Sequence, residues 1–385
     1  MSTRILISAG ESSGDRYAAR LAAALRAQLG DVDLFGCAGE EMKAAGVRPV
    51  VDMASLAVVG IVEVLHHIPR IYGEYRRLVA EAARLRPDVA ILTDSPDFHL
   101  RVARRLSDLG IKVHYLVAPQ AWAWREGRIK QLRRNVEALY CIFPFEEKFF
   151  RERGVRATYI GHPLSRLVRP SMAREAFFAK HSIPENRPLI TMCPGSRTSE
   201  VGRHLPVLAD AIARIRANRD CTFVLAGPED TAKRFGPKYF GEFLASTGAR
   251  LITGETWDAL AHADVALPAS GTVAIEAALL GTPMVTYYKV SAATYVIGRP
   301  LVKVPFYSMV NLVAGEAIVP ELIQQDMTAE RLAGEALRLL DDRQARQRML
   351  GGLARVSASL STAHDPIEIA ASRIVASIRE GKVYV

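Results

Sequence analysis

The chain has 385 residues, 49% of them hydrophobic and 24% charged, with a formal net charge of +9. That length predicts two or three domains with separate cores, and the composition is that of a globular protein. No apolar run reaches the ~18 residues of a membrane-spanning helix, and Met1-Ser2-Thr3-Arg4 does not open a signal peptide, so a cytoplasmic protein is expected.

The first element is a short strand, Arg4–Ser8, which breaks at Ala9-Gly10-Glu11-Ser12-Ser13-Gly14-Asp15 and becomes a helix through Ala18, Leu21, Ala22 and Leu25. A strand feeding a helix through glycines and hydroxyls offers backbone N–H groups and a positive helix end to an anion. Strand Asp33–Cys37 follows. Leu56–Ile68 is an apolar stretch too short to span a bilayer that carries Glu63, His66 and His67. It fits a buried helix, or an interfacial segment or acyl-chain wall. The helix through Tyr72, Tyr75, Leu78, Val79, Ala82 and Leu85 stops before Pro87.

Strand Val89–Thr93 ends at Asp94-Ser95-Pro96-Asp97-Phe98. A carboxylate at the carboxyl end of a strand is a candidate general base, which selects Asp94 first and Asp97 second. The competing reading is a turn with Asp97 as a helix cap, and Phe98 and His99 read as packing or surface residues. After strand Lys112–Val117, Pro119–Arg128 sets Trp122 and Trp124 beside Arg125 and Arg128, as suits a lipid phosphate or membrane surface, or a structural tryptophan pair. Strands Ala138–Phe143 and Thr158–Ile160 close the first half, and the Pro-containing stretch from Gly161 to Pro188 leads into the second.

There the opening recurs. Strand Leu189–Cys193 breaks at Pro194-Gly195-Ser196-Arg197-Thr198-Ser199-Glu200 before a helix carrying Leu205, Leu208, Ala211, Ile212 and Ile215. The Arg197 guanidinium can fork onto phosphate oxygens. Strands Thr222–Ala226, Arg250–Ile252 and Val265–Leu267 come next. Ser270-Gly271-Thr272 then opens helix Val273–Leu280, where Glu276 stands one turn on, in reach of a ribose diol. Taken alone, that loop also fits a capped helix with a favourably placed acid; paired with Gly195-Ser196-Arg197 it points to a nucleoside diphosphate. Strand Met284–Tyr288 follows, and Thr328 to Glu380 reads as helical. Two strand–loop–helix openings predict two doubly wound α/β domains with a ligand held between them.

The four cysteines are scattered, and Cys141, Cys193 and Cys221 read as buried core thiols. The nine histidines have no metal-ligand spacing. The positive charge fits solvated helix faces or attraction to polyanions, but no zinc pattern or RNP motif supports nucleic-acid binding.

With these blocks in view, the chain resembles the bacterial lipid-A-disaccharide synthase family. The blocks are Ala9–Asp15 (AGESSGD), Leu56–Leu65 (LAVVGIVEVL), Asp94–Phe98 (DSPDF), Pro119–Arg125 (PQAWAWR), Ile160–Pro163 (IGHP), Pro194–Glu200 (PGSRTSE), Ala269–Glu276 (ASGTVAIE) and Tyr307–Gly315 (YSMVNLVAG), in the family's order. The resemblance implies the GT-B architecture of two Rossmann-like domains facing across a cleft. It places an acceptor-side domain at 1–165, a UDP-sugar domain at 166–355 and a helix at 356–385 crossing back to the first. It implies inverting transfer of 2,3-diacylglucosamine from UDP-2,3-diacylglucosamine to 2,3-diacylglucosamine 1-phosphate, giving the β-1,6-linked disaccharide phosphate and UDP.

By matching position, Asp94 resembles the general base, and Arg197 stabilises the leaving diphosphate. Gly195, Ser196, Arg197, Ser270, Gly271, Thr272, Glu276 and Asn311 fall on the donor side; Gly10, Glu11, Ser13, Asp97, Trp124 and Arg125 fall on the acceptor side. No metal or other cofactor is implied. The family also implies peripheral attachment to the anionic cytoplasmic face of the inner membrane and a tendency to form homodimers. Where the family often has Ser-Pro-Ser before its tryptophans, this chain has Ala118-Pro119-Gln120, which bears on acceptor contacts. The alternatives are another UDP-N-acetylglucosamine enzyme of this architecture, a peptidoglycan glycosyltransferase or 2-epimerase, and a noncatalytic membrane-surface protein.

Overall fold

The computed structural model describes the backbone of residues 3–56 and 61–382, with side chains except at 61–67, 237–239, 293, 297, 301 and 381–382. The chain divides into two compact units, Met1–Pro163 with Leu360–Val385, and Leu164–Ser359.

The first unit is built on seven parallel strands: β1 (Thr3–Ala9), β2 (Val32–Ala38), β3 (Arg48–Asp52), β4 (Val89–Thr93), β5 (Val113–Leu116), β6 (Ala138–Cys141) and β7 (Ala157–Tyr159). Their order is β3-β2-β1-β4-β5-β6-β7, so the winding reverses between β1 and β4. Helices cover both faces, which is why β1 and β4 read as continuous apolar runs: Ile5, Leu6, Ile7, Ala90, Ile91 and Leu92 are fully buried. The edge strand β3 escaped the sequence reading because it opens on Arg48-Pro49, and proline is confined to edges.

The region read as helical from Thr328 to Glu380 is three helices, Ala329–Asp341, Arg343–Leu360 and Pro366–Lys382. The last belongs to the first unit, lying on helix Ser12–Leu29 through an Arg20–Asp365 ion pair at 3.1 Å and a Gln28–Glu368 hydrogen bond at 3.0 Å. The Ile160–Pro163 block is explained here. Gly161 has φ +89 and passes Thr362 so closely that a Cβ would stand 2.5 Å from its hydroxyl, and His162 N–H donates to the Leu360 carbonyl at 2.8 Å.

Of the apolar Leu56–Ile68 stretch, residues 57–60 and the side chains of 61–67 lie outside the described residues. From Ile61 the backbone is one helix to Leu85, running through Pro69. Among the described residues, no helix is long and apolar enough to cross a membrane.

The second unit has β8 (Leu189–Cys193), β9 (Thr222–Gly227), β10 (Arg250–Thr253) and β11 (Val265–Pro268), parallel and in the order β10-β9-β8-β11. Its winding reverses between β8 and β11. A parallel pair, β12 (Thr286–Tyr288) and β13 (Glu321–Ile323), continues from β11 through bridges at Ala266–Met284 and Ala269–Tyr287.

Candidate active site

A doubly wound sheet gathers its ligands at the carboxyl ends of the strands where the order reverses. In the first unit that point lies between Ala9 and Thr93, which are paired neighbours, so the Gly10 loop and the Asp94 loop emerge side by side. The Asp94 carboxylate lies across the start of helix Ser12–Leu29. It accepts from Gly10 N–H at 2.8 Å (Oδ1) and from Glu11 N–H at 3.2 Å (Oδ2). The N–H groups that the sequence offered to a substrate anion are therefore turned to a carboxylate of the protein. Burial, and next the negative charge of Glu11, hold the Asp94 carboxyl well above its usual range against the opposing pull of these donors. A raised carboxyl suits a base that must take a proton near neutral pH.

Asp94 and Ser95 both adopt left-handed backbone, with φ +53 and +36. Such residues cost about 1–3 kcal/mol each and persist only where the surroundings hold them. The Asp94 carbonyl is turned inward and takes two hydrogen bonds, from the Tyr115 hydroxyl at 2.5 Å and from His99 Nδ1 at 3.0 Å. Since a carbonyl only accepts, Nδ1 carries the His99 proton, and Nε2 accepts from the Ser8 hydroxyl at 2.7 Å. Burial pushes the His99 pKa down to about 4, which keeps this tautomer neutral. His99 is thus a buried brace and not the packing or surface residue the sequence indicated.

Asp97 is not the cap, and its carboxylate is paired with two arginines. The cap position is Ser95, and the Asp97 carboxylate takes both oxygens to Arg125 Nη1, at 2.8 and 3.0 Å, and Oδ1 to Arg128 Nη2 at 2.8 Å. Both guanidiniums lie over the Trp124 ring, 4.4 and 5.1 Å from its centre. Trp122 is structural: it packs on the core and donates Nε1–H to Glu146 at 2.9 Å. Glu146 is buried, which raises its pKa to about 7. Glu11 and Ser13 are exposed at the helix start, beside the half-buried Gly10.

In the second unit the reversal brings the Gly195 loop beside the Ser270 loop, with Ala269 N–H donating to the Cys193 carbonyl at 2.9 Å. Gly195 has φ +113, and the N–H groups of Ser196 and Arg197 both turn to Glu200 Oε2 at 3.3 Å. The Arg197 side chain pairs with Glu200 Oε1 at 2.7 Å, and the Tyr288 hydroxyl donates to the same oxygen at 2.7 Å. The Gly195–Arg197 loop is therefore turned to an acid of the protein, because an acid three residues into a helix reaches back to its start. Buried His204 braces this loop as His99 braces the other. Its Nδ1–H donates to the Pro194 carbonyl at 2.7 Å, and its Nε2 accepts from Lys289 N–H at 3.0 Å.

The second opening differs. Helix Thr272–Leu279 starts at exposed Gly271 and Thr272, with half-buried Glu276 one turn on; burial, and next the charge of Glu276, raise the Cys193 thiol. Ser270 Oγ–H donates to the Tyr307 carbonyl at 3.1 Å. Asn311 contacts protein at every polar atom of its side chain. Nδ2 donates to Val319 O at 2.9 Å and Glu321 Oε1 at 2.8 Å, and Oδ1 accepts from Ile318 N–H at 2.9 Å and Val319 N–H at 3.0 Å. Its side chain has no hydrogen-bonding capacity left for a nucleotide. Its part is to seat Glu321, which accepts from Tyr307 and Ser308 N–H and so fixes the segment holding Ser270. Among the described residues, no three His, Cys, Asp or Glu side chains gather as a metal site.

A model of the lipid-A-disaccharide synthetase family matches residues 5–366. A lipid-A-disaccharide synthase of Solibacter usitatus is 55% identical over 358 residues, covering 93% of each chain. The chain belongs to this family. Its architecture is that of GT-B glycosyltransferases and epimerases. A UDP-GlcNAc 2-epimerase from Neisseria meningitidis matches with a TM-score of 0.63 at 12% identity, covering 99% of this chain and 100% of that one. A glycosyltransferase from Rickettsia africae matches at 0.58 and 13%, covering 99% and 98%. Within that shared fold, family membership favours a lipid glycosyltransferase over an epimerase of soluble sugar.

Proposed function

We propose that this chain transfers 2,3-diacylglucosamine from UDP-2,3-diacylglucosamine to 2,3-diacylglucosamine 1-phosphate with inversion, releasing UDP and the β-1,6-linked disaccharide phosphate. The observation carrying the chemical assignment is the Asp94 carboxylate, raised in pKa and held at the switch point of its sheet by Gly10 and Glu11. In this reading Asp94 takes the proton of the acceptor 6-hydroxyl as that oxygen attacks the anomeric carbon. The leaving UDP is received by the start of helix Thr272–Leu279, with Ser270 and Thr272 adding hydroxyls and Glu276 receiving the ribose. Arg197 exchanges Glu200 for a diphosphate oxygen. Arg125 and Arg128, already seated over Trp124, meet the acceptor phosphate in competition with Asp97.

The same reading makes the protein peripheral on the anionic cytoplasmic face of the inner membrane. It is supported by the net charge of +9 and by Ile68 and Tyr72, which are 50% and 59% exposed. Vesicle flotation on anionic against neutral lipid, at low and high salt, tests that attachment, and sedimentation tests the homodimer expected of the family. Incubation with both substrates tests the reaction: the disaccharide phosphate and UDP should form in equal amounts, and consumption of the donor with no disaccharide would refute the transfer.

A further inference from the structure

We propose that His99 and Tyr115 are positioning residues for the reaction: by gripping the Asp94 main-chain carbonyl from inside the fold, they hold its carboxylate up as the base. The proposal rests on the reading of Asp94 as that base.

A residue in left-handed backbone returns to ordinary helical or extended geometry unless its peptide groups are held. Asp94 and Ser95 are consecutive left-handed residues without glycine, so two peptide groups must be held in a reversed orientation. Two buried side chains from different elements donate to the Asp94 carbonyl. Tyr115 is on β5 and His99 on helix Pro96–Asp108. The Ser8 hydroxyl of β1 fixes the His99 ring in turn, with His99 and Ser8 both fully buried. Two strands and a helix thereby determine one carbonyl. A carbonyl facing inward forces the Asp94 side chain outward, where Gly10 and Glu11 receive it. Without the two donors the peptide can rotate, and the carboxylate leaves those N–H groups.

The charge facing this carboxylate is Glu11, on the loop after β1, and the Ser95 side chain donates to it beside Gly10 and Glu11 N–H. The carboxylate in turn acts on buried Tyr115 of β5 and Cys37 of β2, while Asp97, and Arg128 on helix Arg128–Asn135, act on the Tyr115 hydroxyl. None of them is altered when His99 is replaced, so a change in the acid limb of activity reports the position of Asp94 itself.

The test compares His99→Leu, His99→Asn, Tyr115→Phe and Asp94→Asn in the full-length protein, each first checked for a native melt. His99→Asn keeps an N–H donor near the Nδ1 position; Tyr115→Phe keeps the ring and loses the donor. We expect kcat to fall about 10-fold or more in His99→Leu and Tyr115→Phe, with KM for both substrates within about twofold. The acid limb of the pH profile should move downward as the carboxylate becomes more exposed, and His99→Asn should recover much of the loss. If a variant fails to fold, the other donor's variant carries the test alone. Full turnover in both His99→Leu and Tyr115→Phe beside an inactive Asp94→Asn would overturn the brace while keeping the base. Loss of turnover with an unmoved acid limb and no recovery by His99→Asn would also overturn it, as a packing defect. An active Asp94→Asn would instead overturn the assignment of the base.

Discussion

A Cβ placed on Gly14 would stand 1.5 Å from Oδ2 of Asp94. No side chain at position 14 is compatible with the carboxylate where it lies, and Gly10 is under the same pressure, since its Cβ would meet Ser95 Oγ at 2.3 Å. The glycines of the first loop thus make room for a protein carboxylate. Gly14→Ala should leave the fold intact, since alanine favours the helix, while turnover falls about tenfold or more because the base is displaced. Melting and turnover measured together check this. A fully active Gly14→Ala would show that Asp94 can do without this seat.

Asp94→Asn keeps the shape and removes the basicity. Turnover should fall about 100-fold or more, the scale of a general-base contribution, with UDP affinity near normal. Asp97→Asn should behave differently, because its carboxylate occupies Arg125 and Arg128. Releasing them should change KM for the phosphorylated acceptor and leave most of kcat. If Asp97→Asn lost turnover and Asp94→Asn kept it, the two roles would be exchanged.

The strand–loop–helix openings and most strands were legible because parallel strands buried on both faces must be apolar runs, and β4 and β8 match those runs residue for residue. What could not be read was which anion the loops hold. The pairing of Asp94 with Gly10 spans 84 positions, and no local pattern encodes it. Glu200 was accessible in principle, since an acid three residues into a helix is a capping signal. His99 and Tyr115 left no trace, because a buried hydrogen-bonding side chain has the same spacing as a packing one. Asp15 shows how a family block mixes roles: its carboxylate caps the following short helix through Gly39 N–H and Glu41 N–H, each at 2.9 Å, while its own N–H donates to the Glu11 carbonyl at 2.9 Å.

Asn311 makes four hydrogen bonds inside the protein and is 1% exposed, so its replacement is chiefly a stability defect. Asn311→Ala should cost about 2–4 kcal/mol, the sum of lost bonds and unpaired backbone groups. Donor affinity should fall only through loosening of the Tyr307 and Ser270 segment. A variant with wild-type stability and abolished UDP binding would restore Asn311 as a direct contact.

Acid should loosen the first unit. Burial, and next repulsion from Lys112 and Arg156, lower the His114 pKa from 6.5 to about 4, where His114 links the Tyr140 hydroxyl to Ser377 of the last helix. A histidine depressed in the folded state is protonated first in the unfolded chain. Its contribution is therefore complete above pH 6.5 and is lost as pH falls from 6.5 toward 4. Glu146, raised to about 7, acts in the opposite sense, so the group is isolated by difference. His114→Asn should reduce the loss of stability between pH 7 and 5 by up to about 1.4 kcal/mol per unit within the window. Urea unfolding followed by the fluorescence of Trp122 and Trp124 reads it, and an unchanged pH dependence would refute the assignment.

Arg197 has to leave one carboxylate to serve another anion. Its guanidinium is held by Glu200 at 2.7 Å, and burial of that acid is offset by donors from Tyr288 and Arg197, which leave its carboxyl below the usual range and ionised. A diphosphate carries more charge and more acceptor oxygens than Glu200, and Tyr288 stays behind to satisfy the carboxylate when the arginine turns away. Arg197→Ala should weaken UDP binding by about 1.5–3 kcal/mol, the worth of a charged hydrogen bond. Glu200→Gln should do the reverse at first sight, freeing the arginine, yet it also removes the acceptor for Ser196 and Arg197 N–H. The informative comparison is therefore Tyr288→Phe, which leaves the loop intact and takes away the donor that remains on Glu200. If the exchange operates, Tyr288→Phe tightens the Arg197–Glu200 pair and weakens UDP by a smaller amount in calorimetry, and the Arg197→Ala, Tyr288→Phe double variant shows no further loss. Additive losses would mean that Arg197 holds the diphosphate without ever leaving Glu200.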